Sequence, residues 1–264
     1  SNIFSILLTG SFGKGEGGAF IHNENIRVIN DYDISIVHGG SNFFKIKNKK
    51  RIVNLAKRLA EKINIKQIDL GLIPLSEINK HKQSIGYYDL VSGHCILYGK
   101  NPFNKNISKV KSEDIPLFEG SWLLRNRGIG LILAGLYFIG KVNNDSINKE
   151  NLWIEINKAK LAIGDSSLIS KKKYHWSCVK RLNRIKDSSN SNYYQEALIS
   201  RLKHEGHPYK ISKEELINEW FEIKNYFLSY FLKYENSRLG SFYKNWEEYI
   251  DNVESKSMVS NLRY

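Results

Sequence analysis

Two short stretches constrain this chain more than anything else in it. The first is Leu7-Leu8-Thr9-Gly10-Ser11-Phe12-Gly13-Lys14-Gly15-Glu16-Gly17-Gly18, an apolar run that ends in a Gly-Ser turn and loosens through glycines. The second is Asp31-Tyr32-Asp33-Ile34-Ser35-Ile36-Val37, an apolar run that opens on two aspartates one residue apart. Strand side chains alternate between faces, so Asp31 and Asp33 are expected on one side of a strand, with Tyr32 and Ile34 on the other. Two adjacent carboxylates repel unless a cation lies between them, and Mg²⁺ prefers such oxygens, with water and substrate phosphates filling its remaining positions. Gly10 lets backbone approach a phosphate, and the Ser11 hydroxyl can donate to its oxygens. Together the two stretches predict phosphate chemistry.

Over roughly residues 4 to 99 these motifs resemble the nucleotidyltransferases of the DNA polymerase β superfamily, whose signature is Gly-Ser, a spacer, then Asp-x-Asp in a strand. The resemblance implies that Asp31 and Asp33 hold two Mg²⁺ ions and that Gly10 and Ser11 hold the triphosphate of an NTP, with Lys14 adding charge. A third carboxylate is implied on a later strand. A two-metal site stabilises both the attacking and the leaving oxygen of an in-line displacement at phosphorus. Nineteen residues separate Ser11 from Asp31, more than the family's usual spacer. The excess reads as an inserted β-hairpin, Ala19-Phe20-Ile21 and Ile26-Arg27-Val28-Ile29 around the turn His22-Asn23-Glu24-Asn25.

Downstream, Lys45 to Arg51 reads as a basic loop, followed by an amphipathic helix on Ile52, Leu55, Ala56, Leu59, Ala60 and Ile63. Gln67 to Pro74 reads as a strand stopped by proline. Asp69 lies within it, where the superfamily places its third carboxylate, and is expected to join the catalytic and metal-binding set. Asp89, ahead of the strand Cys95 to Gly99, is the competing candidate. In the relatives that stretch is structural, which favours Asp69.

The net charge of +13 divides evenly, with 17 basic and 11 acidic residues over 1–120 and 23 and 16 over 121–264. It suits anionic partners and, so divided, gives no preference to nucleic acid. Cys95 and Cys178 are too few for a disulfide framework and fit a reducing cytoplasm. The apolar run from Gly128 to Gly140 is too short to span a bilayer.

The expected fold class is α+β, with a small mixed-sheet nucleotidyltransferase domain at 1–103, a linker at 104–118 and an all-α bundle at 119–264. The helices are expected near Trp122–Ile139, Trp153–Ile169, Tyr174–Ile185, Tyr193–Leu202, Lys213–Tyr234 and Tyr243–Val253. This second half resembles the HEPN-type helical domain that follows many such transferase domains, and in aminoglycoside-modifying relatives a helical carboxylate serves as base toward the acceptor. Glu155 and Asp165 are available for that role without a basis for choosing. Arg201 with His207 also matches the short Arg-x4-6-His motif of HEPN ribonucleases, which pairs a titrating histidine with a phosphate-neutralising arginine. The aromatic series from Trp220 to Tyr234 reads first as bundle core and second as a base-stacking stripe.

The implied activity is metal-dependent transfer of an NMP, with AMP from ATP as the expected case, to a hydroxyl or similar acceptor, releasing pyrophosphate. The phrase Leu97-Tyr98-Gly99 and the helical domain lean the acceptor toward a small molecule or sugar. The alternatives are a transferase-fold scaffold without turnover and a HEPN-type RNA-processing protein.

Overall fold

The computed structural model describes residues 3–22, 25–28, 31–65, 67–78, 83–103, 110–142, 149–186, 191–203 and 211–261. Their fold class is α+β, a mixed sheet near the N-terminus followed by helices. They form two compact units. The first comprises Ser1–Asp114 together with His175–Lys180 and Arg201–Glu205, and the second comprises the remaining segments from Ile115 onward.

In the first unit the strands β1 (Ile3–Thr9), β4 (Tyr32–His38), β5 (Ile68–Pro74) and β6 (Cys95–Gly99) form one sheet in the order β5-β4-β1-β6. β1 runs antiparallel to both neighbours, while β4 and β5 are parallel. Parallel neighbours need a crossover, and α2 (Asn42–Lys62) supplies it. A four-residue helical turn, α1 (Gly10–Gly13), follows β1, and α3 (Ile85–Ser92) precedes β6. Leu7 and Val37 are fully buried at the centre of the sheet, packed with Ile78 and Phe103.

The inserted hairpin is present as β2 (Ala19–His22) and β3 (Asn25–Val28), antiparallel with Ala19 opposite Val28. His22 pairs with Asn25, so each strand reaches one residue further toward the turn than the apolar pattern indicated.

The basic stretch Lys45–Arg51 is helix, not loop, since α2 begins at Asn42. Lys and Arg are good helix formers. The inward face advances in steps of four through Phe44, Asn48, Ile52, Ala56 and Ala60, all at least partly buried. Asn48 breaks the apolar pattern on that face, and its side-chain amide donates back to the Phe44 carbonyl at 2.8 Å. The periodicity therefore becomes visible only from Ile52. Ile36, His38 and Leu72 of the sheet face Asn48, Arg51 and Leu55 of α2 across a cavity of about 530 Å³.

In the second unit α4 (Leu117–Phe138), α5 (Lys149–Ser170) and α8 (Lys213–Leu239) pack around one apolar core. Leu124, Ile156, Ile163, Leu216 and Ile223 are nearly inaccessible there. The helix α8 carries both end signals, a reciprocal Ser212–Glu215 capping box and a left-handed Gly240 at its C-terminal end. The aromatic series lies mostly inside this core, with Phe227, Phe231 and Tyr234 buried and Phe221 half exposed. The Trp220 indole N–H donates to the Leu131 carbonyl at 2.8 Å. The remaining helices are α6 (Cys178–Ile185), α7 (Ser191–Lys203) and α9 (Trp246–Asn261). Among the described residues no helix is long and apolar enough to cross a membrane.

Candidate functional site

The Gly-Ser turn lies where β1 gives way to α1. Thr9 is extended, and Gly10 turns the chain at φ +59, a left-handed conformation that costs a residue with a Cβ about 1–2 kcal/mol. Space is a second reason for glycine, because a Cβ built on Gly10 would overlap Oδ2 of Asp33. The Asp33 carboxylate thus lies directly against the Gly-Ser backbone. Thr9 Oγ1 donates to the Asp33 carbonyl at 3.1 Å and fastens the two strand ends to each other. Ser11 is buried. The loop beyond is closed by the Lys14, Gly15 and Glu16 N–H groups bonding to the Gly10, Phe12 and Ser11 carbonyls. The Phe12 ring stacks on Tyr32, with centroids 4.3 Å apart.

Asp33 and Asp69 are direct partners in the parallel register of β4 and β5, so they sit side by side on one face of the sheet. Asp31 immediately precedes β4 rather than lying within it. Its charge nevertheless acts on Asp33. Burial raises the Asp33 pKa, the Asp69 and Asp31 charges raise it further, and Arg201 and Lys14 pull it back. A carboxyl shifted upward has a folded state that holds its proton more tightly than the unfolded chain. Ionised Asp33 therefore lowers stability as pH rises through its titration range. Asp69 is exposed on the edge strand β5, where Gln67 Nε2 donates to its Oδ1 at 2.6 Å.

Lys14, expected to add charge for a phosphate, bonds to Asp89 of α3, Nζ to Oδ2 at 2.5 Å, with both side chains largely buried. Asp89, the rival third carboxylate, thereby has a partner in the glycine-rich loop. Two residues that motif reading did not attach to this site belong to it. Arg201, read from sequence as half of a ribonuclease motif, lies in the same compact unit as the sheet and acts electrostatically on Asp33. Glu16 caps α6: its carboxylate accepts from Ser177 Oγ at 2.5 Å, Cys178 N at 2.8 Å and Val179 N at 3.3 Å. Only the Glu within a glycine loop and the Ser before α6 hinted at that contact, and a sequence separation of 161 hid it.

The remaining expectations fall elsewhere. His207 lies outside the described residues. Glu155 bonds to Lys158 at 2.7 Å, and Asp165 to Arg181 and to the Tyr194 hydroxyl, all within the second unit.

Among the described residues no set of three or more His, Cys, Asp or Glu side chains is drawn together as a metal cluster. Mg²⁺ needs less than that, one or two carboxylates with water and substrate phosphates completing its octahedron. Asp33 and Asp69, neighbours across β4 and β5, with the Asp31 charge acting on Asp33, are the hard oxygen donors such an ion takes, and their mutual repulsion is what a cation would relieve. No protein-family model matches the chain, and no curated protein matches it.

Proposed function

We propose that this protein is a metal-dependent nucleotidyltransferase that moves an NMP, AMP in the expected case, from an NTP to a hydroxyl-bearing acceptor and releases pyrophosphate. The observation that supports it most is the convergence at one sheet end of a Gly-Ser turn and a carboxylate pair. Gly10 backbone lies against Asp33, and Asp33 lies beside Asp69.

In this reading Asp31, Asp33 and Asp69 hold Mg²⁺, which supplies charge neutralisation at the reacting phosphoryl group. The backbone at Gly10 and the hydroxyl of Ser11 orient the triphosphate. Arg201, whose charge lowers the Asp33 pKa, presents a guanidinium to the same anion. Lys14 acts with Asp89 as a neutral pair that shapes the loop rather than as a free cation. Burial first, and the Asp69 and Asp31 charges after it, raise the Asp33 pKa, and a bound cation would offset both. Positioning and electrostatics then account for most of the catalysis.

The test is incubation with each α-labelled NTP, Mg²⁺ and a panel of hydroxylated acceptors, following pyrophosphate release. Asp33→Asn is expected to abolish release. Equal release by wild type and Asp33→Asn would contradict the assignment.

A further inference from the structure

Between residues 1 and 120 the positive charge is not spread. The helix α2 contains eight basic residues and one acidic residue, whereas the rest of that stretch contains nine basic and ten acidic. An even division of charge between the parts of the chain conceals this, because the helix that carries the charge begins ten residues earlier than its apolar pattern indicates.

The charge is also outward and unspent. Lys47, Lys49, Lys50 and Arg51 in the first half of α2, and Lys57, Arg58 and Lys62 toward its end, are exposed. Among the described residues only Lys57 has an acidic partner, Glu61 at 4.0 Å, and both ends of that pair are open to solvent. Side chains in such a row repel one another, and the exposed ion pair offsets about 0–1 kcal/mol of that. A polyanion relieves all of them at once.

We infer that α2 is a docking surface for a nucleic acid strand, its phosphates lying along the basic face. The helix has 21 residues and so is about 31 Å long. That is too long a row for one nucleotide, and it suits a backbone of successive phosphates. Phe43, 72% exposed at the start of the helix, offers a ring on which a base can stack. An anionic membrane is the less favoured occupant, because the coherent apolar face of α2, through Phe44, Ile52, Ala56 and Ala60, is turned inward. The outer apolar residues Phe43, Ile46 and Val53 are interleaved with lysines. Strand alternation puts Ile36, His38 and Leu72 on the α2 side of the sheet and Asp33 and Asp69 on the other. Toward the end of α2, Val53, Ala56 and Lys57 share a pocket with Asp69 at the sheet edge, but the inference rests on the charge of α2 alone and stands whether or not the transferase reading does.

The experiment measures binding of a fluorescein-labelled 20-nucleotide single-stranded RNA by anisotropy across a salt series. Three proteins are compared: wild type, the triple variant Lys47→Gln, Lys50→Gln, Lys57→Gln, and a control with Lys171→Gln, Lys186→Gln, Lys233→Gln that removes the same charge from exposed positions of the second unit. All six side chains are exposed, and circular dichroism checks that each protein is folded. The α2 variant is expected to bind at least tenfold more weakly at 100 mM salt. Its slope of log affinity against log salt should be shallower by about 2, since each phosphate contact on a single strand contributes about 0.7. The control should match wild type. No RNA binding by wild type, equal losses in both variants, or binding to phosphatidylserine vesicles in place of RNA would each overturn the inference.

Discussion

The carboxylate of Asp33 occupies the space that a side chain at Gly10 would need. That one relationship ties the turn after β1 to the start of β4, and it makes residue 10 intolerant for two independent reasons, a left-handed backbone and an overlap. Gly10→Ala is expected to destabilise the first unit by about 2 kcal/mol or more in urea unfolding, the left-handed strain and the overlap acting together. NTP binding should weaken with it, because relief of the overlap moves Asp33 off the turn. A fully stable Gly10→Ala protein would mean that the two strand ends are not held as described.

Arg201 separates two readings of the same residue. If its guanidinium serves the triphosphate, Arg201→Ala should raise the Kd for an NTP by about ten- to a hundredfold, in line with loss of one charged hydrogen bond of about 1.5–3 kcal/mol. Arg201→Lys should recover part of it, since lysine keeps the charge but loses the planar fork. Calorimetry on the two variants reads this directly. RNA cleavage that is lost in Arg201→Ala and untouched in Asp33→Asn would assign the residue to ribonuclease chemistry instead.

Glu16 is expected to fix the glycine-rich loop through its cap on α6. Removing a capping side chain costs about 1–2 kcal/mol. Glu16→Ala should show that loss in thermal unfolding, and Glu16→Gln, which keeps an acceptor, should show less. An unchanged melting temperature in Glu16→Ala would contradict the three hydrogen bonds to Ser177, Cys178 and Val179.

The second unit has its own pH dependence. Burial by itself pushes the Glu235 pKa up, but hydrogen bonds from Arg238, Tyr249 and Ser121, with the Arg238 charge, more than reverse this and leave it below the usual glutamate value. Glu235 is fully inaccessible, with Arg238 at 2.8 Å. A depressed folded pKa means that the ionised form stabilises. The contribution is complete above the free glutamate value near 4.5 and is lost as pH falls toward the folded one. Glu235→Gln should therefore lower stability at pH 7 by about 3 kcal/mol, because it leaves the Arg238 charge buried without its partner. Below pH 4 the gap between variant and wild type should narrow, as read by urea titration at several pH values.

The strands and their motifs were legible because their signals are local. The strands β1, which leads into Gly10 and Ser11, and β4, which carries Asp33, keep a period-two pattern in the sequence, and so does the inserted hairpin, whereas Asp31 falls just before β4. The helices of the second unit were also plain from their apolar spacing, and α8 starts at Lys213 as expected but runs on past Tyr234 to Leu239, where Gly240 ends it. The start of α2 was not legible, since Asn48 interrupts its inward face and lysines fill the rest. Nor were the partners of Lys14 and Glu16, or the approach of Arg201 to Asp33. Each depends on chain segments 75 to more than 160 residues apart, and no local pattern encodes such a meeting.

The measurement that tests the central claim most directly is calorimetric binding of each NTP with and without Mg²⁺, on wild type and on the double variant Asp31→Asn, Asp33→Asn. The account predicts metal-dependent binding of at least one NTP by wild type and none by the variant, with both proteins folded by circular dichroism. Binding that ignores Mg²⁺, or that persists unchanged in the double variant, would contradict it.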